Sequence, residues 1–152
     1  MANTYTQLYF HVIFAVKGRK SLIQSSWKEE LYKYVSGIIS NNNHKMMIIN
    51  GMPDHVHILM GTQANINLSD LIRDIKANSS KWINEKQLVR GKFEWQAGFG
   101  AFTLGQSQLP TTINYIKQQE EHHSKKSFKE EYLQFLKSYE IDYKEAYVFE
   151  EI

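Results

Sequence analysis

The feature that most constrains this chain is a pair of histidines set two apart in an apolar run, Ile48-Ile49-Asn50-Gly51-Met52-Pro53-Asp54-His55-Val56-His57-Ile58-Leu59-Met60. Side chains alternate across a β-strand, so Val56, Ile58 and Met60 face a core while His55 and His57 project together from the opposite side. Gly51, Pro53 and Asp54 are turn formers, and Met46 to Ile49 supply a partner strand, which puts the pair early in the second arm of a hairpin. Two histidines on the wet face of a strand are also an ordinary surface pattern, so the triplet alone does not specify a metal site.

A second cluster follows in Thr111-Thr112-Ile113-Asn114-Tyr115-Ile116-Lys117-Gln118-Gln119-Glu120-Glu121-His122-His123. At about 100° per helical residue, Gln119 falls ~40° round from Tyr115 and His122 ~20° to the other side, so phenol, amide and imidazole share one face. Ile113 and Ile116 form a short apolar stripe elsewhere on the wheel, and the segment also reads as an amphipathic surface helix.

Around these clusters the pattern is regular. Tyr5 to Val16 is aromatic and β-branched, a strand. Ser26-Trp27-Lys28-Glu29 reads as a capping box opening a helix to about Ser40, with Trp27, Leu31, Tyr34, Val35, Ile38 and Ile39 as its apolar stripe. Asn67 caps a second helix whose Leu68, Leu71, Ile72, Ile75, Ser79, Trp82 and Ile83 share a face that is apolar apart from the serine. Phe99 to Leu104 is a short fourth strand. Ser107 to His123 forms one helix bearing the tyrosine, and Ser127-Phe128-Lys129-Glu130 caps a last helix with Phe128, Tyr132, Phe135, Leu136 and Tyr139 in register. Tyr143 to Phe149 adds an edge strand or packs on a partner. The expected fold is α+β: a ferredoxin-like, split βαβ antiparallel sheet with helices on one face and an added C-terminal tyrosine-bearing helix. The helix-free face would be open to single-stranded nucleic acid.

At 152 residues the chain reads as one domain, with a core over about 5–105 and the tyrosine and C-terminal helices over about 107–140; such a length buries about two-thirds of its unfolded surface. There is no cysteine, which removes disulfides and thiolate metal sites. No apolar run approaches the ~20 residues that span a bilayer, and the N-terminus lacks a signal peptide's pattern, so a cytoplasmic location is expected. The net charge of +2 is unevenly spread: residues 1–110 carry 12 Lys and Arg against 7 Asp and Glu, and residues 111–152 carry 6 against 9. Lys17, Arg19, Lys20, Arg73 and Lys76 are the expected phosphate contacts, which set affinity and salt dependence rather than sequence choice.

The strand with His-Val-His and the later helix with Tyr115 and Gln119 together resemble the single-tyrosine HUH transposases of small bacterial insertion sequences. The likeness extends to Leu8-Tyr9-Phe10-His11-Val12-Ile13-Phe14 and to Trp95-Gln96-Ala97-Gly98-Phe99-Gly100-Ala101-Phe102, and so covers most of the chain. The resemblance implies a DNA transposase that nicks and rejoins single-stranded DNA at hairpin-bearing ends. In it Tyr115 is the nucleophile that forms a 5′-phosphotyrosine, and His55, His57 and Gln119 hold Mg²⁺ or Mn²⁺. It also implies a homodimer in which the tyrosine of one subunit serves the histidines of the other. Asp54 and His122 are candidate supporting residues, and the roles of His122 and His123 stay open. The alternative is a non-catalytic single-stranded nucleic-acid-binding module of RRM-like fold stacking bases on Tyr9, Phe10 or Phe14; it lacks that family's glycine-aromatic signature and leaves the two histidines without a use.

Overall fold

The computed structural model describes residues 3–123 and 126–142. Its regular elements run β1 (Leu8–Ala15), α1 (Lys28–Asn41), β2 (Lys45–Met52), β3 (His55–Thr62), α2 (Leu68–Glu85), β4 (Gly100–Leu104), α3 (Leu109–Lys117), α4 (Gln119–His123) and α5 (Phe128–Ser138). The strands pair antiparallel in the order β2-β3-β1-β4, the split βαβ plan expected from the sequence. Among the described residues no helix is long and apolar enough to cross a membrane. The expected element at Tyr143 to Phe149 and the side chains of His122 and His123 lie outside what is described.

Alternation along the strands decides what covers each face. Val12, Phe14, Val56, Ile58 and Met60 join Leu31, Val35 and Ile39 of α1 and Leu71, Ile72, Ile75 and Ile83 of α2 in the main core. On the other face Ile13, Ala15 and Phe102 meet Phe128, Tyr132 and Leu136 of α5, while Leu59 meets Leu109 and Ile116 of α3. The helices α1 and α2 thus share one face as expected, and only the expectation that the other face is open is corrected. Ile13, Ala15, Leu59 and Phe102 make the histidine-bearing face apolar as well, and such a face has to be covered.

The helix ends follow local chemistry. Asn67 accepts from the Asp70 amide at 3.1 Å, and Ser127 accepts from the Glu130 amide at 3.2 Å. The capping box expected at Ser26 does not form; α1 starts at Lys28 with Trp27 at the cap and no side-chain cap bond, and burial of the Trp27 ring takes over. In its apolar stripe Tyr32 is buried, whereas Tyr34 lies at the surface, stacked on Trp82 with centroids 5.3 Å apart. Ser79, the polar break in the stripe of α2, is buried for a reason: its Oγ donates to the Ile75 carbonyl at 2.6 Å and accepts from Trp95 Nε1 at 2.9 Å.

The expected single helix from Ser107 to His123 is in fact two. The chain breaks at Gln118 (φ −100°, ψ 28°), because Asn50 on β2 donates its side-chain amide to the carbonyls of Ile116 at 2.9 Å and Lys117 at 3.3 Å. Those carbonyls would otherwise accept within a continuing helix.

The β2–β3 turn is tight. A Cβ on Gly51 would lie 2.2 Å from the His55 carbonyl oxygen and 2.9 Å from Val56 Cα, both backbone atoms. Gly51→Ala is expected to destabilise the protein by about 1–3 kcal/mol in urea unfolding, the usual cost of overpacking. Gly37→Ala, on the exposed side of α1 with nothing within 4 Å of the added Cβ, is expected to stabilise it by up to ~1 kcal/mol through helix propensity.

Candidate active site beneath the C-terminal helices

The hairpin register sets the histidines mid-sheet. His55 lies opposite Ala15 of β1 and Met52 of β2, and His57 lies opposite Ile13 and Asn50. Both side chains are fully buried under α3, α4 and α5 rather than solvated.

Each imidazole is oriented from behind. His55 Nδ1 donates to Asp54 Oδ1 at 2.7 Å, so Asp54 is both a turn residue and a support for its neighbour. His57 Nδ1 lies 2.8 Å from His11 Nε2, with one proton between two ring nitrogens. His11 is itself buried on β1, and its pKa is lowered to about 3, first by burial and then by the neighbouring His57. It is a neutral partner at ordinary pH. Phe135 packs edge-on against His11, with centroids 5.3 Å apart, and Phe128 stacks on His55 at 4.2 Å.

The Nε2 atoms point forward into a group of oxygens. His55 Nε2 lies 3.0 Å from Gln119 Oε1 and 3.7 Å from Glu131 Oε1, and His57 Nε2 lies 3.0 Å from Glu131 Oε1. Gln119 donates through Nε2 to Glu131 Oε2 at 3.3 Å, which turns its carbonyl oxygen toward His55. The Tyr115 hydroxyl donates to the same Glu131 Oε2. Its pKa is raised, chiefly by burial, then by this hydrogen bond and the carboxylate charge.

The donor chemistry fits a cation. With Nδ1 of His55 bonded to a carboxylate, its Nε2 sits 3.0 Å from an amide oxygen, and wherever that nitrogen carries no proton the two acceptors would gain from a positive ion between them. Ligand atoms of His55, His57 and Glu131 all lie within 4.8 Å of one another. A carboxylate and an amide oxygen beside two imidazoles make a mixed set that suits harder divalent ions better than two nitrogens alone.

The structure thus brings His55, His57, Gln119 and Asp54 together with Tyr115 of the same chain, whereas the resemblance implied a tyrosine supplied by the other subunit. It adds Glu131 and His11, which the sequence reading missed. The signal for Glu131 was present: it falls on the same face of α5 as Phe128, Tyr132 and Phe135, a carboxylate set in an apolar stripe, and it is 3% exposed. Of the expected phosphate contacts, Lys17, Arg73 and Lys76 line one groove of about 680 Å³ between α2 and residues 92–99, on the far side of the sheet from the histidines. Lys76 turns inward there to donate to the carbonyls of Gln96 and Gly98, Arg73 pairs with Asp70 at 2.7 Å and Lys17 with Glu94 at 3.3 Å. Arg19 and Lys20 lie in and just after the turn that follows β1, outside that groove.

Comparison with known proteins points one way. The sequence profile of the family described as "Transposase IS200 like" matches residues 4–119; it spans His11, His55, His57, Tyr115 and Gln119 and ends before Glu131. ISDra2 transposase TnpA of Deinococcus radiodurans is 23% identical over 118 residues, 74% of this chain and 84% of that protein. The fold is similar to that of a putative transposase from Deinococcus radiodurans, with a TM-score of 0.63 and 21% identity over 78% of this chain and 95% of that one. It is also similar to a REP-associated tyrosine transposase bound to a REP hairpin, with a TM-score of 0.62 and 13% identity over 81% and 73%.

The site predicts a measurable affinity. Mn²⁺ at a hundred times its Kd is expected to stabilise the folded protein by about 2.7 kcal/mol, read as a rise in Tm. Glu131→Gln, which keeps shape but removes the anionic oxygen, is expected to weaken Mn²⁺ binding at least tenfold in calorimetric titration. An unchanged affinity would remove Glu131 from the ligand set.

Proposed function

The chain belongs to the IS200-like transposase family, and from that we propose that it cuts and rejoins single-stranded DNA through a covalent 5′-phosphotyrosine on Tyr115. The observation that carries this reading is convergence on Glu131: one carboxylate accepts from the Tyr115 hydroxyl and lies 3.0 Å from His57 Nε2. Nucleophile and cation-binding groups thereby share one small volume.

A phosphodiester resists attack because its anionic oxygens repel the nucleophile, so the site has to neutralise charge and hold the attacker in line. His55, His57, Glu131 and Gln119 would hold a divalent ion, Mg²⁺ or Mn²⁺, which when bound supplies that neutralisation. With its raised pKa the Tyr115 phenol does not ionise by itself near neutrality. Glu131 Oε2 already accepts its hydrogen bond and takes the proton as the tyrosine oxygen bonds to phosphorus and the bond to the 3′-oxygen breaks. The proton then passes to that oxygen, giving a free 3′-hydroxyl. Rejoining is the reverse, with the bond energy held in the phosphotyrosine. Asp54 and His11 position the imidazoles.

The DNA partner proposed is a single strand carrying a hairpin, with Lys17, Arg19, Lys20 and Arg73 as phosphate contacts and Lys76 as a brace for the groove wall. A homodimer is retained from the family likeness. Because Tyr115 reaches the carboxylate on the histidines of its own chain, the working arrangement proposed is in cis; sites completed in trans would need α3 to α5 to leave the face they cover.

With Mn²⁺ and hairpin-bearing single strands from the flanks of its own gene, the wild type is expected to form a covalent adduct, and Tyr115→Phe to form none while binding DNA within a few fold. EDTA or His57→Ala should lower cutting by orders of magnitude, and the fully paired duplex should stay intact. An adduct that persists in the Phe variant rejects the nucleophile. Mixing Tyr115→Phe with His57→Ala under subunit exchange is expected to recover no cutting; recovery would establish trans sites.

A further inference from the structure

We propose that the cavity between α3 and α5 is a nucleobase subsite, holding the base of a nucleotide joined to the phosphate that Tyr115 attacks, with Tyr139 as its stacking platform. The proposal rests on the reading of Tyr115 as nucleophile. The cavity measures about 520 Å³ and opens onto Tyr115 and Glu131, with Thr111 on the α3 side and Gln134, Phe135 and Tyr139 on the α5 side. That volume is in the range of small-ligand pockets, ~300–1,000 Å³.

Its chemistry fits a base. Phe102 of β4 is buried and stacks against Phe135 at 5.5 Å and 20° and against Tyr139 at 4.6 Å and 23°. The Tyr139 ring is thus held in place by a buried ring, while 41% of the residue stays exposed. A half-exposed aromatic already held in one orientation loses little freedom on stacking a base, and every base offers a π-face. Thr111 and Gln134 bring neutral hydrogen-bonding groups, which match the edges of a base better than a phosphate. Lys126, on the cavity rim and donating to Gln134 Oε1, is the cation placed for a flanking phosphate.

Position completes the argument. Tyr115 forms part of the cavity wall, so a strand whose phosphate reaches its hydroxyl has the adjoining sugar at the mouth and the base within. The subsite gives the protein its own grip on the nucleotide at the cut, beyond the hairpin and any pairing within the DNA. It also holds that nucleotide in place between cutting and rejoining.

The test uses single-stranded oligonucleotides from the gene's flanks. With Mn²⁺ and the cut mapped using wild type, Tyr139→Ala is expected to cut about tenfold more slowly, and Tyr139→Phe and Tyr139→Trp at near the wild-type rate. An abasic residue next to the cut should slow the wild type by a similar factor, with no further loss in Tyr139→Ala. In EDTA, 2-aminopurine scanned along the strand should be quenched at one position by wild type and not by Tyr139→Ala. A wild-type rate in Tyr139→Ala, or equal slowing of intact and abasic strands, overturns the subsite. If the wild type forms no adduct yet quenches 2-aminopurine in a Tyr139-dependent way, the subsite stands and the nucleophile reading falls. If the adduct forms and quenching is the same in both proteins, the subsite alone falls.

Discussion

The arrangement of the site depends on one buried carboxylate. Glu131 reaches across from α5 to His57 on β3, to Gln119 on α4 and to Tyr115 on α3, and so joins three C-terminal helices to the sheet at a single polar point. A carboxylate out of water is tolerated only when its oxygens are occupied, and removing a partner from such a group costs about 3–5 kcal/mol. Apolar packing of Phe128, Tyr132 and Leu136 against Ile13, Ala15 and Phe102 brings α5 onto the sheet but is not directional. The hydrogen bonds of Glu131 set where Tyr115 and Gln119 point.

Asn50 has a comparable effect on the backbone. Its side chain takes the Ile116 and Lys117 carbonyls out of the helix ladder, and the chain turns at Gln118. Tyr115 and Gln119 consequently sit on two short helices rather than one turn apart on a single helix. They still converge, because each is held through its own contact to Glu131. Asn50 and His57 are neighbours across the β2–β3 ladder, so the strand pair that orients the imidazole also sets the direction of the tyrosine helix.

Charge is divided in a way that suits a polyanionic substrate. The acidic excess of residues 111–152 includes Glu131 beside the histidines, and the basic excess of residues 1–110 includes the groove between α2 and residues 92–99. On the function proposed, Glu131 would repel a phosphate at the site unless a bound cation offset its charge, and the lysines and arginine of the groove would meet other phosphates of the strand. The carboxylate beside the histidines and the basic groove thus lie on opposite sides of the sheet.

Much of this was legible in the residues. Two-residue alternation put His55 and His57 on one face and Val56, Ile58 and Met60 on the other, and the turn chemistry of Gly51 to Asp54 located the hairpin, because these signals are local and periodic. The caps at Asn67 and Ser127 and the order of elements along the chain, which suggested the split βαβ plan, followed in the same way. Three features required the tertiary structure: the covering of the histidine face, the break at Gln118, and the entry of Glu131 and His11 into the site. Each rests on a contact between residues far apart in the chain, Ile13 with α5, Asn50 with Ile116, Glu131 with His57. A helical wheel or a strand register reports which side of its own element a residue occupies; what that side meets is decided by how the elements pack, and for Glu131 that packing turns a carboxylate set in an apolar stripe into the polar centre of the site.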